Sequence, residues 1–150
     1  MDDNSILNLD NNHIKGGCNI NLYSDAQVSF GFRTIVSKNA DFNISSQLNI
    51  GDFSYIDSNV TIDSTDSGIV YFDGTDNYNK DIKLGTHTLL CHGCKICGGT
   101  NIGDESIVRE YSVVKGNAPA KSILSGSPAR VKDNNINWKH NFDFIWNYKN

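Results

Sequence analysis

The chain has only two prolines, a single methionine and no surplus of positive charge, since 13 Lys plus Arg stand against 17 Asp plus Glu for a formal net charge of -4. Each shortage excludes something. There is no basic field to hold nucleic acid or anionic lipid. No apolar run approaches the roughly 20 residues that cross a bilayer, so no transmembrane segment is expected. The opening Met1-Asp2-Asp3-Asn4 has neither the basic start nor the apolar stretch of a signal peptide, which points to a cytoplasmic protein. With 150 residues and 38% hydrophobic content, one compact domain is expected rather than two.

What the chain does have is a repeat. Stepping by six from Ile14 gives Ile20, Ala26, Phe32, Lys38, Ile44, Ile50, Ile56 and Ile62, with Lys38 the one polar member. The position four residues after each reads Cys18, Ser24, Phe30, Val36, Phe42, Leu48, Ser54 and Val60. A second run holds the same step through Leu84, Leu90, Ile96, Ile102, Val108 and Val114, with Thr88, Cys94, Thr100, Ser106, Ser112 and Ala118 as smaller companions. A period of six fits neither an α-helix nor plain alternation along one long strand, but it fits a short strand and a turn, repeated. A companion and the large residue of the next step are two apart, so both point into the same interior. The expectation is an all-β, parallel β-helix. An antiparallel sandwich also has short strands and many turns, but it does not demand so many positions in one frame.

The frame slips between Ile62 and Leu84, because their separation is not a multiple of six, so residues from about 63 to 81 are expected to leave the prism as a loop. Their polar, turn-forming content agrees. Residues 1–13, with Ile6, Leu7 and Leu9, read as an N-terminal cap or arm, residues 14–132 as the repeat domain, and residues 133–150 as a C-terminal cap. In that last segment Trp138, Phe142, Ile145 and Trp146 recur at helical spacing, so a short helix is expected across the last coil or a neighbouring subunit. Cys91, Cys94 and Cys97 have a metal-like spacing. The frame puts Cys94 inside and the other two at different corners, so no metal is expected and the thiols should be structural.

The stretch from Leu84 to Val108, then Ser112-Val113-Val114-Lys115-Gly116, Ser122 through Val131 and Asn135-Ile136-Asn137-Trp138 resemble the closing segments of hexapeptide-repeat acetyltransferases. The likeness is to the left-handed β-helix enzymes that O-acetylate surface polysaccharides, including sialic-acid capsules and O-antigens. That resemblance implies left-handed winding, three faces per coil, a homotrimer, and acetyl-CoA lying in a groove between neighbouring prisms, with a glycan as acceptor. It also implies a loop histidine that takes the proton of the acceptor hydroxyl as it attacks the thioester. Here Gly68 stands in the position of that histidine, within Thr65-Asp66-Ser67-Gly68-Ile69-Val70-Tyr71, and Leu89 stands where the family commonly has a tryptophan.

His87, two residues before Leu89 and so on the same face of an extended segment, is the candidate substitute base; His13, His92 and His140 are weaker candidates. The resemblance further implies that Lys115, Arg130 and Lys132 lie near the donor's phosphates. Gly98, Gly99 and Gly116 would then let backbone approach the pantetheine arm. Two functions follow: an acetyl-CoA-dependent O-acetyltransferase for a bacterial surface polysaccharide with a degenerate catalytic site, or a non-catalytic β-helix that serves as a structural or binding subunit.

Overall fold

The computed structural model describes residues 2–65, 80–146, 148 and 149. Their strands wind into three parallel sheets. Sheet A holds β1 (Ile6–Asn8), β4 (Gln27–Phe30), β7 (Gln47–Ile50), β10 (Ile82–Leu84), β13 (Asn101–Ile102) and β16 (Asn117–Ala118). Sheet B holds β2 (His13–Ile14), β5 (Ile35–Val36), β8 (Tyr55–Ile56), β11 (Leu89–Leu90), β14 (Ile107–Val108) and β17 (Ile123–Gly126), and β18 (Ala129–Asp133) closes it antiparallel to β17. Sheet C holds β3 (Asn19–Leu22), β6 (Asp41–Ile44), β9 (Thr61–Asp63), β12 (Lys95–Cys97) and β15 (Val113–Val114). Successive strands take the next sheet in turn, so the chain is an all-β parallel β-solenoid of about five turns. One short helix, α1 (Asn141–Ile145), follows.

The second run keeps the expected step: Lys83 pairs with Asn101, Leu89 with Ile107 and Lys95 with Val113, each eighteen residues on. Its small companions Thr88, Cys94, Thr100, Ser106, Ser112 and Ala118 are all buried. Their hydroxyls find partners at the corners, as in Thr88 Oγ1 to Ser54 Oγ at 3.0 Å and Thr100 Oγ1 to Cys97 O at 2.8 Å.

The first run departs from the expected frame. Phe32 is only half-buried, and Lys38 and Ser24 are exposed; Thr34 and Ala40 fill the interior instead, beside the expected Phe30 and Val36. The reason is strand length. Around β4 the alternating Ala26, Val28 and Phe30 all point inward, and around β6 so do Ala40, Phe42 and Ile44, so each of those faces gains one inward and one outward residue. A turn therefore takes longer: Asn19 pairs with Asp41, twenty-two residues on, and Gln27 with Gln47, twenty on. The six-residue step fails after Ala26 and is regained at Ile44.

Residues 66–79 lie outside the description, but their flanks are placed. Ser64 N bonds Asn43 O, Ser46 Oγ bonds Lys80 O at 3.0 Å, and β10 pairs with β7. A Cβ on Gly98 would stand 3.3 Å from both Ser64 Cα and Lys80 O, so the two ends meet at one corner, between sheets C and A.

The corner between sheets A and B is built differently, because residues in left-handed conformation stack there. Arg33, Phe53, His87, Glu105 and Lys121 all have φ between 54° and 61°. Backbone bonds link the column, as in Glu105 N to Thr86 O and Lys121 N to Asp104 O. A non-glycine residue in this region is uncommon, and a whole file of them marks a corner whose geometry repeats turn by turn. Just before it, turns approach so closely that a Cβ on Gly51 would lie 2.4 Å from Thr86 N. Gly51→Ala is therefore expected to destabilise by at least about 1–3 kcal/mol, since rigid backbone must shift. A thermal melt within a degree of the parent's would contradict that contact.

Candidate functional site

The C-terminal segment does not lie across the last coil. It runs down the A–B corner as a strap: Ile136 N bonds Lys121 O, and Trp138 Nε1 donates to Glu105 O at 3.1 Å. Farther along, the rings of Trp146 and Tyr148 pack on Phe53, and Arg33 sits over Trp146. Local sequence explains the helical turn in it. His140 caps α1, its side chain accepting from Phe142 N, while Asp143 reaches back to His140 N. Apolar Phe144 and Ile145 point outward, 63% and 71% exposed, while Asp143 points in at 1%.

Asp143 points at His87. The imidazole is 1% exposed, with Nδ1 2.6 Å from Glu105 Oε2 and Nε2 2.7 Å from Asp143 Oδ2. Its two faces are covered by Trp138, at 3.9 Å between ring centroids, and Tyr148, at 4.3 Å. The hydroxyl of Tyr55 donates to Asp143 Oδ1 at 2.6 Å and that of Tyr148 to Glu105 Oε1 at 2.7 Å, and Lys149 also reaches Glu105. Each ring nitrogen is thus engaged by a carboxyl oxygen. The surrounding groups shift with their own partners. Burial, and then the hydrogen bond to Asp143, push the Tyr55 phenol well above its usual range, and burial and Glu105 do the same for Tyr148. Burial pushes His140 down against the pull of Asp143. For Glu105, burial alone would raise the carboxyl, but hydrogen bonds from Lys149, Tyr148 and His87 outweigh it and hold it below the ordinary 4.5.

A depressed carboxyl stabilises the state that depresses it, fully so above its ordinary value, and loses that contribution as pH falls through the lower one. The strap should therefore loosen as pH drops below about 4.5. Fluorescence of Trp138 and Trp146 would report it, while the β signal of the solenoid, whose core contains no strap residue, persists. Coincident loss of both signals would mean that the strap has no separate equilibrium.

The other sequence candidates lie elsewhere. Gly68 falls outside the described residues. Leu89 is half-buried on the outer face of sheet B, in a pocket of about 120 Å³ with Tyr55, His140 and Phe142. Gly98 and Gly99, and one turn on Lys115 and Gly116, share the C–A corner, where Asn101 N bonds Gly116 O. Gly98 is hemmed in by Ser64 and Lys80; Gly116, at φ 104°, has open space beside it. Arg130 and Lys132 are exposed on β18. His13 is exposed on β2, and His92 bonds Ser58 Oγ at 2.8 Å beside Tyr111. Among the described residues, no three His, Cys, Asp or Glu side chains group to hold a metal, and no helix is long and apolar enough to cross a membrane. The structure brings the glycines and Lys115 together and separates His87 from them by the width of sheet A.

Sequence reasoning missed Glu105 and Asp143. Glu105 carried a signal, since it follows His87 by one eighteen-residue turn. Asp143 carried none. Between strap and solenoid lies a cavity of about 430 Å³ lined by His87, Glu105, Lys121, Trp138, Tyr148 and Lys149, among others.

No family model and no curated protein sequence matches this chain. Solved structures do. The polySia-specific acetyltransferase NeuO superposes with a TM-score of 0.69 at 18% identity, over 93% of this chain and 76% of that one. AntD, an N-acyltransferase from Bacillus cereus solved with dTDP and 3-hydroxybutyryl-CoA, gives 0.62 at 17%, over 99% and 86%. A hexapeptide-repeat-containing acetyltransferase from Vibrio cholerae gives 0.55 at 17%, over 91% and 74%. The fold of this chain is thus that of hexapeptide-repeat acyltransferases.

Proposed function

We propose that the chain is an acyltransferase that moves an acetyl group from acetyl-CoA to a hydroxyl of a bacterial surface polysaccharide. The observation that carries this reading is the C–A corner. Gly98 and Gly99 there align with Lys115 and Gly116, beside Ser64 and Lys80, which lie on either side of residues 66–79 in the sequence. Backbone without a Cβ, open on one side as at Gly116, admits a pantetheine arm. Lys115, with Arg130 and Lys132 beyond it, supplies charge for the nucleotide phosphates. Neighbours in fold were solved with CoA thioesters or are specific for a sialic-acid polymer. The sequence resemblance adds a homotrimer. A heterologous trimer interface also sets one corner of a prism against a different part of the next, with exposed Phe144 and Ile145 as apolar surface for it.

Calorimetry with CoA and light scattering test this reading together. Binding and a mass of three chains are expected. Lys115→Glu should weaken CoA roughly tenfold, the equivalent of about 1.4 kcal/mol. A monomer that ignores CoA would end the proposal. A second reading, a non-catalytic β-helix, is favoured by one specific observation: His87 has no free nitrogen. CoA binding without any acetyl transfer would support it.

A further inference from the structure

We propose that Glu105 is the positioning residue for His87 as a general base, and that Asp143 is a latch, carried on the strap, that holds this base shut. The inference rests on the acyltransferase reading. A histidine base needs one nitrogen fixed by an orienting acceptor and a lone pair on the other. Two carboxylates compete for His87, and they differ in what they are built on. Glu105 follows on the same corner of the next turn, its backbone bonded to Thr86 O, so it stays beside Nδ1 whatever the strap does. Asp143 belongs to a segment that contributes nothing to the solenoid core and is tied down by Tyr55 and by its own turn.

With the strap seated, both nitrogens are engaged by carboxyl oxygens and neither is free to take a proton from an acceptor. With Asp143 withdrawn, Glu105 keeps the hydrogen on Nδ1, and Nε2 turns its lone pair toward the space that the strap vacates. With the donor held in the groove of a neighbouring prism of the proposed trimer, an acceptor oxygen there attacks its thioester carbonyl and gives its proton to Nε2; the carbon–sulfur bond breaks, and the CoA thiolate leaves with that proton. The groups facing His87 are Glu105 from the solenoid corner, Tyr55 from β8, and Asp143 and Tyr148 from the strap, with Lys149 and His140 behind them. His87 and Glu105 both line the cavity of about 430 Å³ beside the strap.

The test uses the full chain, acetyl-CoA as donor and polysialic acid as acceptor, with free thiol release as the readout. Asp143→Ala should raise kcat at least tenfold and leave KM for acetyl-CoA nearly unchanged. Tyr55→Phe, which loosens the latch without removing the carboxylate, should give a smaller rise. It serves as the second variant if Asp143→Ala melts early. Adding Glu105→Gln to Asp143→Ala should cut kcat and move the acid limb of the pH profile, and Glu105→Asp should restore part of both. Adding His87→Gln should erase the gain. Nitrogen-15 spectra of the ring should show two protonated nitrogens in the parent and only Nδ1 protonated in Asp143→Ala. A folded Asp143→Ala protein that binds CoA without faster turnover overturns the inference, and so does a gain that survives His87→Gln. If Nε2 loses its proton as expected but no variant binds CoA, the acyltransferase reading has failed and takes the catalytic assignment with it, while the latch geometry stands.

Discussion

Cys94→Asp will abolish the cooperative melting transition. Cys94 is 0% exposed, with Thr61 N bonded to its carbonyl from the turn before and Lys95 N bonded to Ser112 O in the turn after. Its thiol is pushed up to about 12, by burial first and then by the ionisable neighbours that reach it, Cys91, Asp57 and Glu110. A carboxylate at the same place meets the same desolvation with no cation to offset it. The cost is several kcal/mol against a total stability of about 5–15. Circular dichroism on heating decides the matter, and a parent-like transition would show that the side chain is not inside. Cys91→Ser is the comparator. That thiol is 8% exposed and raised only to about 11, again by burial first, so the substitution should cost under about 1 kcal/mol.

The solenoid was legible because its signal is periodic and its interior is one continuous column. Leu84, Leu90, Ile96 and Ile102 announce the faces one after another, and each is 1% exposed or less. The lapse at Phe32 and Lys38 has a cause that a fixed step cannot see. Extending a strand by two residues preserves the alternation of inward and outward side chains while shifting every later corner. Ala26, Val28 and Phe30 are the visible trace of that extension, an alternating run one member too long for a hexapeptide. The candidate site was less legible. The aromatics of the strap carry helical spacing, yet α1 is one turn and the contacts that matter are long: Tyr55 to Asp143 spans 88 residues, and His87 to Asp143 spans 56. No local pattern encodes such a pairing, because it depends on where the chain returns after the last coil.

Gly68→His will raise acetyl transfer, by a part of the roughly 10²- to 10⁴-fold that a positioned general base contributes. Position 68 falls between Ser64 and Lys80 in the sequence, and these two meet at Gly98, on the corner that carries the proposed donor groove, whereas His87 of the same chain lies across sheet A from it. A base there acts whether or not the strap moves. The gain should persist when His87→Ala is added, and Gly68→Ala should bind CoA like the parent without any gain. Leu89→Trp behaves differently from what an open face would allow. Leu89 already packs in the pocket shared with Tyr55, His140 and Phe142, and an indole there meets the strap's His140 and Phe142 rather than open solvent. It should displace the strap, which lowers the pH stability of the seated form and frees His87. In combination with Gly68→His, its effect on rate should therefore depend on His87, and the effect of Gly68→His should not. If Leu89→Trp leaves the fluorescence of Trp138 and Trp146 and their acid transition unchanged, the strap does not cover that face in solution. If Gly68→His binds CoA but transfers no faster than Gly68→Ala, position 68 is not where this chain's chemistry was lost.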